Sequence, residues 1–248
     1  MRLKNNYKIF PACFIVLTLS WCFSAYAQNL KIFVNSGTGF FVNRSGYFVT
    51  NLHVVSQCQR IVVRGAVSAR YAKIIGRDVK HDLALLKVDG MVGEFGAFRV
   101  DSMPVEKGER VVVVGYPGEA YKTLKTVTRE AEIISTKGPQ GENTWLQLSD
   151  LIEQGNSGGP LMDAYGNVIG VIVAKAVIYT YAKSDPENGT YTNSGVAIAA
   201  PVVRKFLDTH RVSYTTADAN STLGTDRLSD KAQRFVVSVR CETPTEVR

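Results

Sequence analysis

The sequence predicts an all-β fold of antiparallel strands, arranged as one large unit or as two small barrels sharing an interface. Three observations carry this. Short runs rich in Val, Ile and Phe, each bounded by Gly, Asn, Asp or Pro, recur at regular spacing. No helical periods separate them, which argues against strand–helix–strand units and a parallel sheet. The length of 248 residues, 45% apolar and 21% charged, supplies a sizeable core and excludes a disordered tail, a collagen-like repeat or a disulfide-dense miniprotein.

Residues 1–27 stand apart from that core. Arg2, Lys4 and Lys8 make a basic start, Ile9 to Phe23 is mostly apolar, and Ala25-Tyr26-Ala27 places small residues where a signal peptidase cuts. The expectation is an exported protein, periplasmic or secreted, whose processed chain begins at Gln28. The apolar run is too short for a spanning helix, and no later stretch is long enough, so no stable membrane span is expected after cleavage. Removing the leader takes away three basic and no acidic residues, which lowers the formal charge from +7 to +4. No basic stripe interleaved with aromatics stands out, so nucleic acid is not an expected partner. Of the 4 Cys, Cys13 and Cys22 lie in the leader. Cys58 and Cys241 remain, and an even pair in an exported chain suggests one disulfide, two free thiols being the alternative.

Strands are expected at Lys31 to Asn35, Gly39 to Asn43, Tyr47 to Thr50, Arg60 to Arg64, Tyr71 to Ile75 and Leu83 to Val88. The pattern then lapses around Val100 to Lys107, a natural crossover between two β units. It resumes at Arg110 to Gly115, Glu130 to Ser135, Thr144 to Leu148, Val168 to Val173 and Gly195 to Ala199. One helix is expected from Pro201 through Val203, Phe206 and Leu207, because proline is tolerated at a first helical position. Thr209 to Gly224 reads as a linker, Phe235 to Cys241 alternates like a strand, and Val177 to Ser194 reads as a long surface hairpin.

Three segments carry chemistry: His53 at the end of a strand, Asp82 opening an apolar strand, and Ser157 inside the glycine-rich Gly155-Asn156-Ser157-Gly158-Gly159-Pro160. A serine hydroxyl is a poor nucleophile until a base takes its proton, and imidazole suits that task. The imidazole in turn needs an acceptor that fixes its tautomer and stabilises the imidazolium. The glycines add a fourth part, since a turn without side chains lets the N–H groups of Gly155 and Ser157 converge as an oxyanion hole. Each segment alone has a bland reading as turn, strand cap or core histidine. Together, in the order His, Asp, Ser, they match one of the convergent triad orders. His81 beside Asp82 is expected to face away, and the scattered His and Cys have no zinc-ligand spacing, so no zinc site is expected.

Gly37 to Val55, with its Gly37-Thr38-Gly39 start and Thr50-Asn51-Leu52-His53 end, resembles the glycine-rich strand pair and histidine segment of trypsin-like serine peptidases of the HtrA/Deg kind. Asp82 to Val88 is similar to their aspartate strand, and Gly155 to Leu161 to their nucleophile loop. Asp150-Leu151-Ile152 and Gly195 to Pro201 resemble the walls of their primary specificity pocket. The resemblance implies two six-stranded antiparallel chymotrypsin-like barrels, one over about 28–105 and one over about 106–200, then a helix at 201–208, with 209–248 as linker and C-terminal strand or tail. It implies a serine endopeptidase acting on polypeptides through an acyl-enzyme with no metal and no organic cofactor, and with the catalytic residues His53, Asp82 and Ser157 and the oxyanion donors Gly155 and Ser157. Val173, Ala174 and Lys175 match the strand that binds extended substrate. Leu151 at the pocket floor and Gly195 on its wall imply an apolar residue before the scissile bond. No segment after Pro201 resembles a PDZ domain, the oligomeric state is not implied, and Asn156 replaces the aspartate of digestive trypsins. Two other readings are a silent peptidase fold that binds partners, and an α/β-hydrolase esterase, which requires a helix directly after Ser157.

Overall fold

The computed structural model describes residues 31–138, 141–150, 152–182 and 185–245; the expected leader, residues 1–27, and Leu151 lie outside them. In chain order the first half gives β1 (Lys31–Phe41), β2 (Tyr47–Asn51), the single turn α1 (Leu52–Val55), β3 (Arg60–Gly65), β4 (Arg70–Asp78), β5 (Leu83–Val88) and β6 (Phe98–Arg99). The second half gives β7 (Arg110–Gly115), α2 (Ala120–Thr123), β8 (Val127–Ser135), β9 (Trp145–Leu148), β10 (Pro160–Asp163), β11 (Val168–Ala182) and β12 (Asp185–Ala199). The chain ends with α3 (Ala200–Thr209), β13 (Thr216–Ala217), α4 (Thr225–Gln233) and β14 (Val236–Thr245).

Two antiparallel barrels result, as the sequence leads one to expect. The first closes in the order β1-β14-β3-β4-β5-β2. The second runs β10-β7-β8-β9-β12-β11 and closes through the β10–β11 pairing, with β6 and β13 appended. The C-terminal strand β14 is thus a stave of the first barrel, inserted between β1 and β3, with Gly37 opposite Val239 and Val63 opposite Val239 on its other side. A disulfide joins Cys58 to Cys241 there.

The near-continuous apolar runs have a physical reason. Strand residues alternate faces, and here both faces are buried. On β5, Ala84, Leu86 and Val88 fill the first barrel, whereas Leu83 and Leu85 face the seam between barrels. On β7, Val111 and Val113 fill the second barrel, whereas Val112, Val114 and, just after the strand, Tyr116 face the seam. Phe40, Phe98, Phe206 and Phe235 join them in that seam. At about 25 cal/mol per Å² of apolar surface removed from water, burial of this kind is the main term holding the barrels together. Pro201 lies in the first turn of α3, as expected, and Val203, Phe206 and Leu207 form its buried face.

One expectation about local structure needs correction: His53 lies in the helical turn α1 and not on a strand. Asp82 stands just before β5, as expected of a residue that opens it, and adopts φ +53°, a left-handed conformation uncommon for a residue with a Cβ. The helix α4 has no counterpart among the expected elements, because Leu228 and Ala232 are its only buried apolar residues and give a weak period. Among the described residues no helix is long and apolar enough to cross a membrane.

Candidate active site

Asp82 and His53 come from adjacent corners of the first barrel. The turn before β5 presents Asp82, and the turn after β2 presents His53. Asp82 Oδ2 lies 2.6 Å from His53 Nδ1, and Asp82 Oδ1 accepts the His53 backbone N–H at 2.9 Å. The Asp82 carbonyl accepts from Leu52 N–H at 3.0 Å and from Asn51 Nδ2 at 3.1 Å. These four bonds hold the left-handed backbone in place. Upstream, Asp78 Oδ1 accepts the His81 N–H and its Oδ2 lies 2.7 Å from His81 Nδ1, which pins the same turn. His81 therefore faces Asp78 and not Ser157, as expected. Because a carboxylate only accepts, His53 Nδ1 is the donor, and in neutral imidazole this leaves Nε2 as an acceptor. The His53 side chain is 48% exposed, so it is accessible to a substrate.

Ser157 comes from the second barrel, and its turn docks on the first. Its carbonyl accepts the Thr38 N–H at 2.8 Å, and the Thr38 hydroxyl donates to the Gly155 carbonyl at 2.7 Å. On the other side Gly158 N–H donates to Ile172 O, and Ile172 N–H to Gly159 O, each at 2.9 Å. The turn is therefore clamped between β1 and β11. Glycine is required at two points. A Cβ on Gly158, at φ +86°, would lie 2.2 Å from Thr38 O and 2.9 Å from Asn51 N. A Cβ on Gly37 would meet both the Val54 side chain, at 2.7 Å, and Ser157 O, at 3.0 Å. The residues flanking His53 and the backbone of Ser157 thus pack around the same two glycines.

The orientation of one peptide matters for the turn. Gly118 N–H donates to Gln154 O at 3.1 Å, and the chain contains no cis peptide among the described residues. In a trans peptide the C=O and the following N–H point to opposite sides. With Gln154 O on Gly118, the Gly155 N–H is turned away from Gly118, and Gly155 takes φ +102° to do so. The chain after Ser157 enters β10 at Pro160, so the helix that an α/β-hydrolase needs is absent there.

Of the expected substrate residues, Gly195 donates its N–H to Asp150 O at 2.9 Å, and a Cβ on it would meet Ile152 Cγ1 at 2.5 Å. The residues on both sides of Leu151 are therefore in contact with Gly195 of β12. Val173, Ala174 and Lys175 lie on β11, paired on one side with β12 through Val173 opposite Val196, with a register shift before Ala176. Among the described residues no strand pairs with their other edge. Sequence reasoning missed Thr38, Asn51 and Asp78. A polar residue between two glycines inside an apolar strand was the available signal for Thr38.

A model of the trypsin-like peptidase domain matches residues 37–171. The chain belongs to this family. The chain is 34% identical over 212 residues to the uncharacterised protein y4bJ of Sinorhizobium fredii, covering 84% of this chain and 32% of that one. It is 36% identical over 170 residues to a probable periplasmic serine endoprotease, DegP-like, of Rhizobium meliloti, covering 66% of this chain and 31% of the relative. Among solved structures, the HtrA-type protease AlgW with a decapeptide superposes with TM-score 0.56 at 26% identity, over 71% of this chain and 51% of that one. This trypsin-like peptidase chain spans about a third of the length of these curated relatives.

Proposed function

We propose that the protein is an exported serine endopeptidase, periplasmic or secreted, that cleaves polypeptides through an acyl-enzyme. The observation that carries this reading is the pairing of His53 Nδ1 with Asp82 Oδ2 at 2.6 Å, beside a nucleophile turn pinned to the same barrel. In this account His53 Nε2 takes the proton of Ser157 Oγ as the oxygen attacks the scissile carbonyl. Asp82 stabilises the imidazolium, which then protonates the leaving amine as the C–N bond breaks. Water, activated by the same imidazole, hydrolyses the ester and returns the proton to Ser157. The N–H groups of Gly155 and Ser157 receive the oxyanion, each such donor being worth about 3 to 4 kcal/mol in transition-state stabilisation. The Gln154 carbonyl bonded to Gly118 favours an open turn over the silent-module reading.

The open edge at Val173, Ala174 and Lys175 takes an extended substrate by strand addition. Gly195 lines the pocket for the residue before the scissile bond, and apolar side chains are preferred; the expected floor residue, Leu151, lies outside the described residues. No metal or organic cofactor takes part in this scheme. The test is the hydrolysis of a quenched peptide library by the processed chain and by Ser157→Ala. Cleavage after apolar residues by the wild type alone supports the reading. Cleavage after Lys or Arg overturns the pocket assignment, and turnover that persists in Ser157→Ala overturns the mechanism.

A further inference from the structure

A cleft of about 230 Å³ lies where α2 of the second barrel crosses the outer face of β3 and β14 of the first, lined by Val62, Arg64, Tyr121, Lys122, Ser238 and Arg240. All three charged lining residues are cations. Arg240 Nε lies 3.0 Å from Glu242 Oε1, but Glu242 is shared with Arg60, and Lys122 is paired with the largely exposed Glu119. Arg64 has no ion-pair partner among the described residues, so the cleft keeps a positive excess. This patch is invisible in the sequence, because it is assembled from β3, α2 and the distant C-terminal strand.

Its position relates it to Ser157. Ser238 is paired with Thr38, the residue bonded to the Ser157 carbonyl, and Arg240 is paired with Ser36. Arg240 is thus one strand over from the nucleophile clamp and two residues, about 7 Å, along β14 from the residue paired with it. The nucleophile turn is held between Ile172 on β11 and Thr38 on β1. A substrate whose acyl side lies along the open edge of β11 therefore leaves on the β1 side, toward this cleft.

We infer that the Arg64, Lys122 and Arg240 cleft binds acidic side chains of the substrate on the leaving-group side, about two to four residues beyond the scissile bond at an extended-chain spacing. The inference rests on the peptidase reading for its placement, and its test reads binding separately from turnover. Two peptides that differ only in a Glu-Glu or Gln-Gln pair at the third and fourth positions after the cleavage site are titrated against full-length Ser157→Ala by fluorescence anisotropy. The Glu peptide should bind about tenfold more tightly at low salt, and the difference should vanish near about 0.5 M salt, where screening is strong. It should also vanish in the double variant Arg64→Gln, Lys122→Gln, which alters two exposed side chains and no core contact. Equal binding of both peptides, a preference that survives the double variant, or the same gain with the Glu pair moved to the acyl side would overturn the proposal. Arg64-dependent binding of a short DNA duplex with no Glu–Gln difference would overturn it as well. Wild-type protein that binds the Glu peptide preferentially yet cleaves neither peptide would instead count against the peptidase reading and leave the cleft assignment standing.

Discussion

Thr38 holds the turn of Ser157 from two directions: its N–H donates to the Ser157 carbonyl at 2.8 Å, and its hydroxyl donates to the Gly155 carbonyl at 2.7 Å. The same hydroxyl accepts the Tyr116 N–H at 3.0 Å. Thr38 is fully buried. Thr38→Val keeps the shape but strands a buried donor and a buried acceptor, each costing about 1 to 3 kcal/mol. The expected outcome is a stability loss of about 2 to 4 kcal/mol in denaturant titration, with a fall in kcat larger than any change in KM. A variant as stable and active as wild type would show that the clamp is unimportant.

Asp82→Asn tests the tautomer argument. An amide in place of the carboxylate offers a donor to His53 Nδ1, so the ring turns over its acceptor and Nε2 no longer takes the serine proton. Turnover should drop by about 10³ to 10⁴ while the fold persists, as judged by circular dichroism and melting. Near-normal turnover would remove Asp82 from the mechanism.

Gly158→Ala should be poorly tolerated for two reasons that add. The backbone is at φ +86°, and the new Cβ would lie 2.2 Å from the Thr38 carbonyl, a backbone atom with little freedom to move. A loss of about 3 kcal/mol or more is expected from strain and overpacking together. Gly118→Ala, with nothing within 4 Å of its Cβ position, meets only the cost of its φ of +52°, and the comparison of the two melting curves isolates the clash.

Reducing the Cys58–Cys241 bond, or replacing both residues by Ser, frees a loop of 183 residues in sequence separation. In the chain-entropy model this removes about 4 to 5 kcal/mol. Because β14 is a stave of the first barrel, its pairing with β1 and β3 should survive in the cold and fail earlier on heating. An unchanged melting temperature after full reduction would contradict this.

The pH dependence follows from Asp78. Burial raises its pKa, but the hydrogen bonds and charge of His81 and the Lys80 amide outweigh burial and hold it below the usual carboxylate value. A carboxyl with a depressed folded pKa gives stability that is present above its unfolded pKa of about 4 and lost as pH falls through the folded value. Asp78→Asn should therefore flatten the acid limb of stability below about pH 4. Denaturant titrations across that range check this, and an unchanged slope would argue that the pair does not form.

Much of the fold was readable because the barrels bury both faces of their central strands. Leu83 to Val88 and Arg110 to Gly115 are predicted as strands and match β5 and β7 residue for residue. The run Lys31 to Asn43 reads as two strands, because Ser36 and the glycines break the apolar pattern, yet it forms the single strand β1. That interruption exists to let Thr38 and its neighbours meet Ser157 and Val54. His53, Asp82 and Ser157 stand out in the sequence through their local motifs. The support around them does not, because the Thr38 and Asn51 side chains bond to backbone carbonyls far along the chain and Asp78 bonds to its near neighbour His81, contacts that leave little trace in residue type. The expected disulfide brings the strand around Cys241 back to Cys58, but the pairing of β14 with both β1 and β3 was hidden, since those partners lie at the far end of the chain.

The most direct test of the account is the intact mass of the processed chain after exposure to a fluorophosphonate, followed by peptide mapping. A single adduct on Ser157, lost in His53→Ala and Ser157→Ala alike, is the predicted result. An unmodified chain, or an adduct on another residue with Ser157 untouched, would contradict the proposal that Ser157 is a nucleophile activated by His53.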